Sequence, residues 1–127
     1  MRHTLITTLF LAASLPAYAQ SSVGAFTELQ RVEIADSDDL ELVLGLIEQG
    51  GASQSPKHMH PRGETVYVLE GAVTVVGEGG VVHNHKAGDS FHQPPGKWYI
   101  VSTEDAGAKA IVIRVLKKGE APTTEVE

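Results

Sequence analysis

Short hydrophobic runs alternate with turn residues along most of the chain. The runs are rich in Val, Ile and Leu, and they cover residues 32–35, 40–47, 65–69, 73–76, 81–85, 98–102 and 110–116. Clusters that contain Gly, Pro or Asp separate them, at 36–39, 50–51, 70–71, 77–80, 87–89, 94–96 and 105–107. Such clusters are typical of tight turns, and the Gly-rich one at 77–80 predicts a hairpin. No segment carries a convincing helical period. Many short strands at regular spacing predict an all-β fold, an antiparallel sandwich or a barrel.

The first nineteen residues differ from the rest of the chain. Arg2 is followed by an apolar run at 5–15, about eleven residues long and too short to span a bilayer. An A-x-A cleavage signal ends the segment at residue 19. We therefore predict a signal peptide at 1–19, a mature chain that begins at Gln20, and a periplasmic or secreted protein.

The mature chain is acidic and has no cysteine. Without Arg2 it carries sixteen acidic and nine basic residues, a net charge of about −7, which disfavours nucleic acid and anionic membranes as partners. The lack of cysteine leaves only nitrogen and oxygen ligands for a metal. The remaining length is enough for one domain, which we place at 20–117. We predict a flexible tail at 118–127, because this segment is charged and contains Pro and Thr.

The strongest chemical signal is the stretch His-Met-His-Pro-Arg-Gly-Glu at 58–64. His58 and His60 point to the same side if the segment is extended, because side chains alternate faces along a strand. A turn with a proline and a glycine follows, and Glu64 opens the next predicted strand. Two imidazoles and one carboxylate can therefore converge on one point. This ligand set suits a borderline divalent metal, and with open coordination positions it suits non-haem iron.

These residues belong to a longer pattern that resembles the two conserved motifs of the cupin superfamily. The first motif is matched by Gly51 and by H-x-H-x3-E-x6-G from His58 to Gly71, although the first gap is one residue longer than usual. The start of the second motif is matched by G-x5-P-x-G at 88–96. The resemblance covers roughly 51–103. It implies a small single-domain jelly-roll β-barrel with a metal site in its interior, lined by both motifs.

The chain departs from the second motif at its histidine. Tyr99 stands at that position, and Thr103 replaces the usual asparagine. The resemblance thus implies His58, His60 and Glu64 as metal ligands and leaves Tyr99 as a doubtful fourth. Three models stay open: a triad alone with free coordination positions, a phenolate ligand despite an ordinary pKa of about 10, or a barrel without a useful metal site. The implied cofactor is a divalent transition metal (Fe, Mn, Ni, Cu or Zn), which ligand type does not identify further.

Five further ring side chains lie near the motifs. His92 precedes the Pro-Pro turn and could replace the missing ligand if it faced inward, although a rim histidine is the simpler interpretation. His83 and His85 share one face of a predicted strand, which allows a surface metal clip, but such pairs are more often solvated. Tyr67 and Phe91 are first of all candidates for the core.

Two classes of function follow from the resemblance. An enzyme would use the metal for oxidative cleavage, decarboxylation or isomerisation of a small substrate, with Glu64 as candidate general base. Arg62 and Lys97 lie beside the motif turns, where they could attract an anion. Alternatively, a non-catalytic barrel would bind a metal or small ligand at a degenerate site. The resemblance also implies a homodimer, for which the amino-terminal strand at 27–35 is the candidate edge. Neither nucleic acid nor, after signal cleavage, a membrane is expected as a partner.

Overall fold

The computed structural model describes residues 24–127, and their regular secondary structure is almost entirely β-strand. The strands are β1 (Ala25–Glu33), β2 (Leu40–Gln49), β3 (His58–Met59), β4 (Glu64–Gly77), β5 (Val82–Lys86), β6 (Ser90–Gln93), β7 (Tyr99–Ser102), β8 (Ala108–Lys117) and β9 (Thr124–Glu125). The only helical element in this range is a 3₁₀ turn at Glu78–Gly80. The all-β prediction is confirmed, whereas the predicted signal peptide at 1–19 lies outside the described residues. Within residues 24–127, no helix has the length and apolar character needed to cross a membrane.

The strands form two antiparallel layers that share β4. The first half of β4 pairs with β6 and β8, and β8 continues through β2 to β1 at the edge. The second half of β4 pairs with β5 and β7, and β7 continues through β3 to β9. The result is a curled antiparallel jelly-roll barrel, as predicted. The hairpin predicted around 77–80 is also confirmed, because β4 and β5 pair directly on either side of the 3₁₀ turn.

A bend in β4 replaces the turn that we predicted at 70–71. The strand continues through these residues, and its register against β8 shifts between Val68 and Glu70. The buried positions change phase at the same place, from 64, 66 and 68 before the shift to 73 and 75 after it. A one-residue shift moves side chains to the opposite face of a strand. The bend therefore keeps hydrophobic residues inside the barrel while the strand passes from one layer to the other.

Gly71 permits this bend for two reasons. Its φ of +73° lies in the left-handed region, which residues with a Cβ atom rarely adopt. In addition, a Cβ atom at this position would collide with the carbonyl oxygen of Gly107 on the neighbouring turn. The Glu-Gly pair thus marks a change in chain direction, as the sequence predicted. The change is a bend within one strand rather than a turn between two strands.

The core lies between the two layers and follows the alternation of the strands. On β8, Ala108, Ala110, Val112 and Leu116 are buried at every second position, and Arg114 occupies the one charged position of this inner face. The core prediction is wrong for Tyr67, which is 47% exposed because its position in β4 faces outward. Phe91 is partly buried, and it packs against the buried residues of the core.

The segment at 118–127 lies along the second layer. Its strand β9 pairs with β3, and the amide of Val126 donates to the carbonyl of Lys57 at 2.9 Å. The side chain of Arg62 also contacts Glu120, with 3.1 Å between Nε and Oε2. These contacts place the segment beside the strand that carries His58. Its flexibility stays a prediction.

We expect Gly71→Ala to destabilise the protein much more than Gly79→Ala. Both glycines have a positive φ, +73° and +77°, so each substitution has a backbone cost of about 1–2 kcal/mol. Only Gly71 has backbone atoms in the way, because nothing lies within 4 Å of a Cβ at Gly79. Urea denaturation should give a loss of about 1 kcal/mol for Gly79→Ala and about 3 kcal/mol or more for Gly71→Ala. Equal losses would contradict the bend as described.

Candidate metal centre

A cavity inside the barrel collects the polar side chains of the predicted site. The space that the centres of water-sized molecules can occupy is about 60 Å³. This leaves room for a small molecule of a few heavy atoms. Much of its wall is apolar and comes from the inner faces of β2, β4, β7 and β8. Its polar side chains include His58, His60, Glu64, Tyr99 and Arg114. The sequence predicted the first four of these and missed Arg114.

The two histidines are oriented by backbone carbonyls. Nδ1 of His58 lies 2.8 Å from the carbonyl oxygen of Pro56, and Nδ1 of His60 lies 2.7 Å from that of Pro122. A carbonyl oxygen only accepts hydrogen bonds, so each Nδ1 carries the proton and donates it. Nε2 of each neutral ring is therefore left with its lone pair. The two ring centroids are 5.3 Å apart, at an interplanar angle of 80°.

Burial favours the neutral form of both rings. It lowers the pKa of His60 to about 4, and the nearby Arg114 cation acts in the same direction. Burial also lowers the pKa of His58, with a smaller effect from His60. Both imidazoles are thus neutral near pH 7, which is the form that binds metals.

Glu64 lies between His60 and a cation. Its Oε2 atom is 3.3 Å from Nε2 of His60 and also accepts a hydrogen bond from Nε of Arg114. Burial raises the pKa of the Glu64 carboxyl group above its ordinary value, although the charge and hydrogen bond of Arg114 oppose this shift. Nε2 and Oε2 are both acceptors when His60 is neutral and Glu64 is ionised. Their proximity then favours a proton or a metal ion between them.

Arg114 is a charged residue of the cavity that sequence reasoning missed. It comes from β8, it is 5% exposed, and it faces the cavity opposite Glu64 on β4. A buried charge in an apolar strand needs a partner, because removal from water is costly. Position 114 shares the phase of Ala110 and Val112 along β8, but this phase is recognised as the inner face only when the pairing of β8 with β2 and β4 is known.

Tyr99 lies against both histidines and is almost fully buried. Its ring centroid is 4.6 Å from that of His58 and 5.7 Å from that of His60. Its hydroxyl group is buried and has no hydrogen-bond partner among residues 24–127. Burial raises the pKa of Tyr99 above its ordinary value, and the negative charge of Glu64 adds to the effect. The side chain is therefore a neutral phenol near pH 7.

The side chains of the cavity offer the atom types that bind a divalent ion, but they are not arranged as a metal site. In the part of the chain that the structure describes, no group of three or more His, Asp or Glu side chains is positioned to hold a metal ion. His58, His60 and Glu64 nevertheless line the same cavity. Their nitrogen and oxygen atoms suit borderline ions. Glu64 would have to be shared between the ion and Arg114.

The other candidate residues lie away from these side chains. His92 is exposed, and its Nδ1 atom is 3.0 Å from the hydroxyl of Thr65. The ring centroids of His83 and His85 are 6.2 Å apart at an interplanar angle of 27°, and neither side chain lines the cavity that contains His58 and His60. His85 also stacks on Phe91, with a centroid distance of 3.9 Å.

The two basic residues near the motif turns already have acidic partners. Arg62 contacts Glu120 at 3.1 Å, and Lys97 contacts Glu78 at 3.3 Å. These ion pairs occupy the charges that we expected to attract an anion. Arg114 is the cation that faces the cavity itself.

The middle and the second half of the chain match a known protein family. Residues 46–114 match the model described as the cupin domain. The chain belongs to the cupin family. The resemblance inferred from the two motifs is thus confirmed, and both motifs fall within or at the border of the matched region. No curated protein matches this cupin.

Solved structures share its fold. The polyketide cyclase RemF from Streptomyces resistomycificus superposes with a TM-score of 0.62 at 20% identity, covering 86% of this chain and 77% of the cyclase. The lyase DddQ from Ruegeria pomeroyi, which acts on DMSP, has a TM-score of 0.62 at 22% identity and covers 81% of this chain, which spans only 51% of the lyase. Oxalate decarboxylase from Bacillus subtilis has a TM-score of 0.56 at 19% identity, over 71% of this chain and 24% of the enzyme. Identities this low show the fold alone.

We expect the His60 imidazole to make the stability of the metal-free protein depend on pH. Its pKa is about 4 in the folded chain against an ordinary 6.5. Between these values the unfolded chain binds more protons, so the stability contributed by His60 is complete above pH 6.5 and is lost as the pH falls towards 4. Urea denaturation of the wild type and His60→Gln should diverge over this interval by up to about 1.4 kcal/mol per pH unit. Parallel curves for the two proteins would contradict the neutral, buried imidazole.

Proposed function

We propose that this cupin binds one divalent transition metal inside the barrel, through Nε2 of His58, Nε2 of His60 and a carboxylate oxygen of Glu64. The observation that carries the proposal is the pair of hydrogen bonds from Nδ1 to the carbonyls of Pro56 and Pro122. Metal-binding histidines almost always donate their second ring N–H to a carbonyl, carboxylate or water, because this fixes the ring and its tautomer. The proposed ion is Fe, Mn, Ni, Cu or Zn.

The proposed activity is chemistry on a small molecule bound beside the ion. When bound, such an ion supplies Lewis acidity, or redox chemistry for some metals, at positions that protein ligands leave open. Arg114 holds one oxygen of the Glu64 carboxylate through Nε. The carboxylate can still act through its other oxygen, as a ligand or as a general base. Tyr99 offers a neutral hydroxyl that can donate a hydrogen bond to a substrate.

The solved structures with the same fold support only the expectation that the substrate is small. By their names, a polyketide cyclase, a lyase for DMSP and an oxalate decarboxylase all act on small organic molecules. The cavity of about 60 Å³ agrees with the smaller of such substrates. Oxidative cleavage, decarboxylation and isomerisation stay candidate reactions for this chain.

A non-catalytic barrel is the second candidate. It is favoured by Tyr99 in place of the motif histidine and by the ion pair that engages Glu64. Such a protein would hold a metal or small ligand without turnover. Metal binding without any activity towards small carboxylic acids would support this candidate over an enzyme.

We expect close to one metal ion per chain after purification or reconstitution, as measured by elemental analysis. His58→Ala and His60→Ala should each reduce the content to below a tenth, because each removes one of three donors. His83→Ala and His92→Ala are matched controls that should leave it unchanged, since neither side chain lines the cavity of the site. Tyr99→Phe separates the ligand models, because an unchanged affinity excludes the phenolate. Wild-type protein that takes up none of the five metals would contradict the proposal.

We further propose that the protein is exported and dimerises through β1. This strand is the edge of its layer and is exposed along its whole length, including the apolar side chains of Phe26, Leu29 and Val32. An exposed apolar edge favours pairing with a second copy.

Native mass spectrometry of the exported protein should give two chains, each beginning at Gln20. Leu29→Arg should give single chains, because it places a charge on the exposed edge strand. Val82→Arg is the matched control on β5, where the side chain is 55% exposed, and it should stay dimeric. A single chain in the wild type would contradict dimerisation, and a chain that retains residues 1–19 would contradict signal cleavage.

A further inference from the structure

Arg114 presents unused hydrogen-bond donors inside the barrel. A guanidinium group has five N–H donors in a planar fork. Within residues 24–127, the one hydrogen bond that the Arg114 side chain makes runs from Nε to Glu64. The N–H groups on its two terminal nitrogens are therefore not engaged by the described part of the chain. The side chain is 5% exposed and lines the cavity, so these donors belong to a site inside the barrel.

One face of the guanidinium is covered by Phe26 at the edge of the barrel. Cζ of Arg114 lies 4.8 Å from the ring centroid of Phe26, a distance typical of a cation–π contact. The Phe26 ring also occupies the space where a Cβ atom at position 45 would lie, so the contact needs Gly45 in the middle of β2. A glycine inside a strand has a conformational cost. This packing holds the guanidinium plane in one orientation.

Tyr99 contributes a second unused donor to the same cavity. Its hydroxyl is buried without a partner in the described chain, although a buried polar group normally finds one. A ligand with acceptor oxygens would satisfy both this hydroxyl and the guanidinium. The donors are fixed in place before any ligand arrives, because Tyr99 is packed against His58 and His60.

The charge balance of the cavity favours an anion. Arg114 and Glu64 form an ion pair within the cavity, in which their charges compensate each other. A divalent ion at the proposed site would add two positive charges beside this pair, in a largely apolar space. Buried charges of one sign need a partner of the other, and the chain places none besides Glu64 among the polar groups named above.

We propose that the ligand of this site is a small carboxylate, whose oxygens accept hydrogen bonds from the terminal nitrogens of Arg114 and from the hydroxyl of Tyr99. A carboxylate matches the planar fork of a guanidinium, and a short acid fits the cavity volume of about 60 Å³. The inference deepens the proposed function and rests on it for the additional positive charge. Phe26 and Gly45 act as positioning residues, since they hold the guanidinium rather than the ligand.

Acetate, with acetamide as its neutral counterpart, tests the proposal by calorimetric titration. Both ligands are added to chelator-treated protein and to protein loaded with Mn²⁺, in buffers free of other carboxylates. Acetate should bind at least tenfold more tightly than acetamide, and the loaded form should bind acetate more tightly than the metal-free form. Equal binding of the two ligands, or no acetate binding to either form, would overturn the inference.

Tyr99→Phe is the decisive variant, because two measurements on it should change in opposite directions. Acetate affinity should fall about tenfold, the effect of one neutral hydrogen bond. The unfolding midpoint without ligand should rise, because a buried hydroxyl without a partner has been removed. Unchanged acetate affinity would refute the role of Tyr99. Arg31→Gln is the control for charge, since Arg31 is exposed and pairs with Glu28 and Glu41.

Arg114→Gln should abolish acetate binding. If this variant does not fold, because Glu64 is left without its cation, the double variant Glu64→Gln/Arg114→Gln removes both charges and serves the same purpose. Retained acetate affinity in whichever variant folds would overturn the inference. Metal-free protein that binds acetate, but takes up no metal, would contradict the proposed function and leave the carboxylate site standing. Metal binding without acetate binding would contradict the carboxylate site and leave the proposed function standing.

Discussion

The interior of this barrel is organised around one buried ion pair, between Arg114 and Glu64. The two residues lie on adjacent strands, β8 and β4, which are the strands that hold one layer together and connect it to the other. Removing one member of a buried pair typically destabilises a protein by about 3–5 kcal/mol, because the other charge is left unpaired. The stability of the barrel and the chemistry of its cavity therefore depend on the same two side chains. Neither residue can change without consequences for both.

The sequence predicted the parts of this structure that depend on local rules. Hydrophobic runs between turn residues identified most of the strands, and the alternation of side chains along a strand predicted that His58 and His60 share a face. The motif spacing brought Glu64 and Tyr99 to the same histidines, which the structure now places around one cavity. The direction of His58 and His60 could be predicted because strand geometry fixes side-chain direction over a few residues, whereas the place of Tyr99 followed from the family resemblance.

The features that escaped prediction depend on distant contacts. Glu70 and Gly71 have the composition of a turn, but their bend is set by the approach of the Gly107 carbonyl and by the change of partner strands. Arg114 resembles an exposed charge until β8 is known to pair with β2 and β4 on both sides. Pro122 lies in a charged segment with no pattern of its own, and its carbonyl reaches His60 only because β9 pairs with β3.

The hydrogen bonds of the two histidines differ greatly in range. His58 is oriented by a carbonyl two residues away, whereas the carbonyl that orients His60 is 62 residues further along the chain. The first contact survives any opening that leaves the local turn intact. The second is lost as soon as the carboxyl-terminal segment separates from β3, a short pairing of two residues. Local opening of a weakly held element costs less free energy than global unfolding. Separation of this one segment would thus release the imidazole of His60 from its carbonyl while the rest of the barrel stays folded.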